Sequence, residues 1–143
     1  MPHNQADFIG AWTLDDWRIE YEDGRISRPF GENAHGYIVY SDNGIMSAAI
    51  ASASRAVFEK ANARNASDAE KATAFDGYFH YAGRWRIDGD DVLHDVTMAL
   101  NPDMAGTLQR RQAVFSDVGM LTLSAVEATT GGVRRHVLAW RRA

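Results

Sequence analysis

The chain is a succession of short stretches in which apolar and polar residues alternate, each ended by a Gly, Asp or Asn turn signal. This is the pattern of half-buried antiparallel strands. About eight such stretches cover residues 8–21, 36–40, 45–51, 78–87, 91–99, 107–115, 120–127 and 133–142. Between the second and third lies Ser41-Asp42-Asn43-Gly44, where Asn-Gly tolerates the positive φ of a tight hairpin. Only 52–76 breaks the rhythm, being rich in Ala, Glu, Lys and Asn and poor in β-branched residues. Within it Ser67-Asp68-Ala69-Glu70 has capping-box spacing, which predicts a helix starting near Asp68, and a second helix is expected around 55–64. Sequential strands joined by short turns predict a mainly β fold, an eight-stranded antiparallel up-and-down β-barrel, because closure leaves no exposed edge. A helical insertion is expected between the third and fourth strands, within one domain spanning residues 1–143. The interior of such a barrel either fills with side chains or holds one small ligand.

Composition removes several classes of function. With 143 residues, 45% of them apolar, the chain can bury a core without staples. It has no cysteine, which excludes disulfide frameworks, thiolate nucleophiles and cysteine-ligated metals. The formal charge of −4 arises from acidic and basic residues mixed along the chain, without the basic stripe that nucleic acid requires. No apolar window is long enough to cross a bilayer, and the first residues lack the basic and apolar regions of a signal peptide. A cytoplasmic protein without membrane or nucleic-acid partners is expected, with a homodimer left open. The five histidines show no paired metal-binding spacing, and phosphate loops, dinucleotide fingerprints and nucleophile elbows are missing. The expectation is no metal and no cofactor.

Alternation then assigns side chains to the interior. Phe79, Tyr81, Gly83, Trp85 and Ile87 share one face, and Val92, His94, Val96 and Met98 share another. Met46, Ala48 and Ile50 face in, as do Leu121, Leu123 and Ala125. In the first strand Phe8, Gly10, Trp12 and Leu14 are in phase, whereas Trp17, Ile19 and Tyr21 have opposite parity. A bulge near Asp15-Asp16 reconciles them. For 107–115 either parity puts an arginine inside, Arg110 with Leu108 and Val114, or Arg111 with Gln109, Ala113 and Phe115. The last strand divides into His136, Leu138, Trp140 and Arg142 against Arg135, Val137, Ala139 and Arg141.

Gly10-Ala11-Trp12 on the first strand, with Trp140-Arg141-Arg142 closing the last, resembles the lipocalin signature, in which a late arginine packs over the tryptophan of Gly-x-Trp. More of the chain is similar to the bacterial lipocalin-like domain proteins. The likeness runs through Pro29-Phe30-Gly31, Gly36-Tyr37-Ile38-Val39-Tyr40, Asn43-Gly44 with Met46, Tyr81-Ala82-Gly83-Arg84-Trp85, Val92-Leu93-His94, Gly106-Thr107-x-Gln109-x-Arg111 and Leu138-Ala139-Trp140. The resemblance implies the barrel and selects Gln109 and Arg111 as the inward pair. It implies less about activity, since some lipocalin-like barrels act as cyclases or isomerases and others bind small apolar molecules.

His94 is the foremost candidate, because an imidazole of near-neutral pKa inside an apolar cavity can exchange a proton at cellular pH. The competing reading is a core histidine satisfied by a carbonyl or tyrosine. Arg111 inside would need a partner: Asp95 or Glu127, stacking on Trp12, or an anionic ligand group. Of Tyr37, Tyr40, Tyr78 and Tyr81, two are expected to line a pocket. The loop 23–35, with Phe30, Glu32 and His35, suits a lid over one mouth. Trp12, Trp85 and Trp140 read as packing plugs.

The expected function is binding of a small, largely apolar molecule with an anionic or carbonyl end. Tyr40, Met46, Trp85, Met98, Gln109, Leu123 and His136 are the ligand-binding candidates. The alternative is a cofactor-free isomerase, cyclase or dehydratase (a lyase), in which His94 moves a proton while Arg111 and Tyr81 stabilise an oxyanion. A third reading is a filled barrel acting as a structural or interaction module.

Overall fold

In the computed structural model, which describes residues 2–59 and 62–143, alternation closes a single sheet into a ring. Nine strands occur among the described residues: β1 (Gly10–Tyr21), β2 (Ile26–Ser27), β3 (His35–Tyr40), β4 (Ile45–Ala51), β5 (Tyr78–Asp88), β6 (Asp91–Ala99), β7 (Leu108–Phe115), β8 (Met120–Thr129) and β9 (Gly132–Arg142). Neighbours pair antiparallel in the order β2-β1-β3-β4-β5-β6-β7-β8-β9, and β1 also pairs with β9. Eight strands therefore form the closed barrel. The two-residue β2, absent from the sequence reading, continues the edge of β1 that β3 leaves free, pairing at Ile19 and Glu20.

Helix α1 (Gln5–Phe8) precedes β1, and α2 (Asp68–Asp76) lies between β4 and β5. The insertion thus stands where expected in the chain, and β2 makes its flanking strands the fourth and fifth. The Ser67–Glu70 capping box starts α2. The helix expected over 55–64 does not form: residues 55–59 are non-helical and Ala63–Asn65 is a single 3₁₀ turn, while 60 and 61 lie outside the described residues. Its polar groups are tied to α2 instead, the Arg55 guanidinium donating to the Ala74 carbonyl and the Glu59 amide to Glu70.

The start of the chain also differs from expectation. Asn4 and Asp7 cap a helical turn, so the strand begins at Gly10, and Phe8 is driven into one end of the barrel. There its ring meets Tyr40 at 5.5 Å, Trp85 at 5.7 Å and Phe115 at 5.0 Å. Edge-on and tilted aromatic packing of this kind closes a barrel end. The Arg142 guanidinium lies 4.0 Å from the centre of the Trp12 ring and donates to the carbonyls of Ile9 and Asp7 at 2.6 and 2.8 Å. Gly10, with φ +122°, makes this clamp possible, because a Cβ there would sit 2.8 Å from Arg142 Nη1.

Two bulges adjust which side chains face in. One shifts the β1–β9 register between Leu14 and Asp16, as the parity change in β1 requires. The other shifts β5–β6: Gly83 pairs with Val96 while Ala82 pairs with Met98, leaving Thr97 unmatched. The extra residue reverses the parity of β6 beyond Val96. Met98 therefore points outward and is 60% exposed, correcting its expected place inside, and Ala99 packs against the core instead. Gly83 faces this bulge so closely that a Cβ would run into the Asp95 carbonyl oxygen. Gly83→Ala is expected to destabilise the protein by about 3 kcal/mol, the upper range for overpacking, measured as a lowered urea midpoint. Unchanged stability would mean that the strands can part at no cost.

Candidate functional site

A cavity of about 380 Å³ occupies the barrel between the aromatic plug and the opposite mouth. Its walls are mainly apolar, from Ile38 of β3, Ala48 and Ile50 of β4, Phe79 of β5, Leu123 of β8 and Leu138 of β9. Each comes from an inward parity position of its strand. Trp17, whose ring packs edge-on against Phe30 at 4.9 Å, covers part of the mouth. This contact packs the 23–35 loop against the core at Phe30.

Into this apolar space project Tyr81 of β5, His94 of β6, Gln109 and Arg111 of β7, and His136 of β9. His94 is 1% exposed and bonded at both ring nitrogens, Nε2 to the Tyr40 hydroxyl at 2.7 Å and Nδ1 to the Tyr81 hydroxyl at 2.6 Å. Burial, with the Arg111 charge adding to it, lowers its pKa from the ordinary 6.5 to about 3. Burial therefore favours the neutral imidazole, and both ring nitrogens have partners, as a core histidine requires. Burial likewise raises the phenols of Tyr40 and Tyr81, with Arg111 opposing.

Arg111 faces inward because Arg110, of opposite parity, is held outside by Asp88 and Asp91, each at 2.8 Å. The Arg111 guanidinium donates to the Arg110 carbonyl at 3.0 Å and to Gln109 Oε1 at 3.3 Å. Gln109 in turn donates to Thr107 Oγ1 at 2.9 Å. None of the internal partners considered from sequence serves Arg111. Asp95 points out toward Arg86, Glu127 is taken by Arg134 and His136, and Trp12 is covered by Arg142. Among the described residues no carboxylate lies within ion-pair distance of it.

At the mouth His136 Nε2 meets Glu127 at 2.9 Å, while Trp17 Nε1 donates to His136 Nδ1 at 3.4 Å. Hydrogen bonds from Arg134 and then His136 lower the Glu127 pKa to about 2.

Of the residues singled out from sequence, Tyr81, His94, Gln109, Arg111, Leu123 and His136 come together on the cavity wall. Three others lie deeper. Met46 is buried in the core, Trp85 packs on Phe8 and donates to the Ser41 carbonyl, and Tyr40 reaches His94 from this same layer. Phe8 fills the space they were expected to line. Tyr37 is exposed on the outer face, and Tyr78 lies under Arg55. The sequence reading did not single out Trp17, although strand parity placed it inside, or the Trp140 N–H, on a strand whose inward face alternation left open. Trp140 lines the cavity, is 1% exposed, and its Nε1 has no hydrogen-bond partner among the described residues. Among the described residues no group of acidic or histidine side chains is arranged to hold a metal ion, and no helix is long and apolar enough to cross a membrane.

The chain belongs to the lipocalin-like domain family, whose model matches residues 9–143. Among solved structures it is similar to an uncharacterized protein from Bacteroides eggerthii DSM 20697, at 11% identity and a TM-score of 0.44 over 92% of this chain and 98% of that one. It is also similar to the fluorescent protein UnaG, at 13% identity and a TM-score of 0.42 over 98% and 100% of the two chains. No curated protein matches it.

The neutral His94 has a consequence for stability against pH. An unfolded chain takes up a proton at this histidine near pH 6.5, whereas the folded protein refuses it down to about pH 3. Its contribution is therefore complete above 6.5 and is lost as pH falls toward 3, by up to about 1.4 kcal/mol per unit. Gln offers one donor and one acceptor to the two tyrosines but does not titrate. Urea unfolding from pH 6.5 to 4.5 is expected to show His94→Gln losing stability less steeply than the parent by about that slope. Equal slopes would mean that His94 is protonated in the fold.

Proposed function

We propose that the protein binds one small, largely apolar molecule inside the barrel, with an anionic or carbonyl end held by Arg111. The observation that carries this reading is the inward guanidinium of Arg111, which among the described residues has no carboxylate within ion-pair distance. The half-buried guanidinium loses part of its hydration on the cavity wall, and the carboxylates that could have neutralised it from within are committed elsewhere. Gln109 holds the guanidinium in place but carries no charge to balance it. At about 380 Å³ the space is near the lower end of the ~300–1,000 Å³ of ligand pockets, which favours a compact, ring-sized molecule. The cavity itself argues against a barrel packed solid as a structural module.

The enzymatic alternative has less support. With both nitrogens bonded to tyrosines and burial lowering its pKa, His94 is poorly placed to exchange a proton with a substrate. Its role in the proposal is to fix Tyr81.

Calorimetric titration with 2-naphthoate and with 2-methylnaphthalene, the same ring system with and without the anion, tests the role of Arg111. Arg111→Met is expected to weaken naphthoate binding about 10- to 100-fold, the worth of a hydrogen bond to a charged group, and to leave methylnaphthalene unaffected. Equal losses for both probes would reduce Arg111 to a packing role. Absence of binding by either would overturn the binding reading.

A further inference from the structure

The hydrogens of the Tyr40–His94–Tyr81 array can be counted. A neutral imidazole carries one N–H and one lone pair. One tyrosine must therefore donate to His94, and the other must accept from it. The tyrosine that accepts keeps its own hydroxyl hydrogen for some further partner.

The two tyrosines are not equivalent. Tyr40 is 1% exposed, packed between Phe8 and Trp85, and among the described residues its hydroxyl has no partner besides His94. Were Tyr40 the acceptor, its O–H would be stranded in the core, an arrangement that folded proteins avoid. Tyr81 lines the cavity, where an occupant or water can take its hydrogen. The consistent arrangement has Tyr40 donating to Nε2, Nδ1–H donating to the Tyr81 oxygen, and the Tyr81 O–H directed into the cavity. Each donation polarises the next, so the final hydroxyl is a strengthened donor.

The other unsatisfied groups have the same polarity. The Trp140 N–H is a buried donor without a partner. Arg111 is donor-only, and its two hydrogen bonds leave N–H groups over. The acceptors on the cavity lining are already engaged: Gln109 Oε1 receives Arg111, and the Glu127 carboxylate receives Arg134 and His136 at the mouth.

We infer that the cavity selects ligands whose polar end accepts hydrogen bonds and does not donate them, a ketone or oxyanion in preference to an alcohol or amine, because the Tyr40–His94–Tyr81 array sends its last hydrogen inward. This inference rests on the binding reading above and adds to it a preference independent of charge. A ligand hydroxyl can accept from Tyr81 as a ketone does, but its own hydrogen then faces a wall of donors, with only the second lone pairs of Tyr81 and Gln109 left to take it. Tyr40 is thus a positioning residue that sets the selectivity of a cavity it does not line.

A neutral matched pair, 2-acetylnaphthalene and 1-(2-naphthyl)ethanol, isolates the effect from Arg111. Calorimetry on the intact protein is expected to show the ketone binding about tenfold or more tighter than the alcohol. In Tyr40→Phe either direction leaves one imidazole nitrogen equally unpaired, so the ratio is expected to fall toward one. Independently of that variant, ¹⁵N spectra of histidine-labelled protein are expected to show His94 protonated at Nδ1 and bare at Nε2. Equal affinities in the parent protein, or a proton on Nε2, would overturn the inference while leaving the binding reading intact. Binding of neither naphthalene would overturn both.

Discussion

A polar side chain inside a barrel has no solvent to fall back on, and the arrangement of this protein follows from that constraint. His94 is held by two phenols that arrive from different strands, one hydrogen bond on each nitrogen. Fully satisfied, such a buried network specifies one packing of its surroundings. It ties β3, β5 and β6 together across the interior, where backbone ladders bond only neighbours. The aromatic plug around Phe8 and the cavity beyond it meet at this array, since Tyr40 belongs to the former and Tyr81 to the latter.

Arg111 follows the opposite rule. Its neighbours on both sides of the wall have been partnered, Arg110 by two aspartates outside and Glu127 by Arg134 and His136 at the mouth. The inward guanidinium has only a carbonyl and an amide oxygen. In the proposed binding the two residues would divide the work within one cavity, His94 bracing the wall and Arg111 meeting the ligand.

Most of the architecture was legible because period-two alternation and turn chemistry are local properties. Strand positions, the Asn43-Gly44 hairpin, the α2 cap and the parity change at Asp15-Asp16 all declare themselves within a few residues. The bulge at Thr97 does not, because its cause is the absence of a Cβ on Gly83 of the neighbouring strand, so Met98 was assigned to the wrong face. The choice between Arg110 and Arg111 was open for a similar reason: Asp88 and Asp91 lie some twenty residues away in the chain and meet Arg110 only once β6 and β7 pair. The site was legible as a set of inward residues but not as a network. Tyr40 and His94 are 54 positions apart, and no pattern along the chain links them. Likewise, Trp85 was legible as a packing plug, but Phe8 was read as strand, which hid the ring that completes the plug and left Met46 and Trp85 also as ligand candidates.

The clamp of Arg142 over Trp12 joins residues near the two extremes of the barrel sequence, and the β1–β9 ladder it borders runs from Trp12–Arg142 to Tyr21–Arg134. A nascent chain therefore carries an open-edged sheet through nearly all of its synthesis, with the hydrogen-bonding rim of β1 exposed to other chains until β9 has been made. Sealing must wait for the contact of greatest loop length, which makes the final zippering slow and concentrates the hazard of misassociation in that interval.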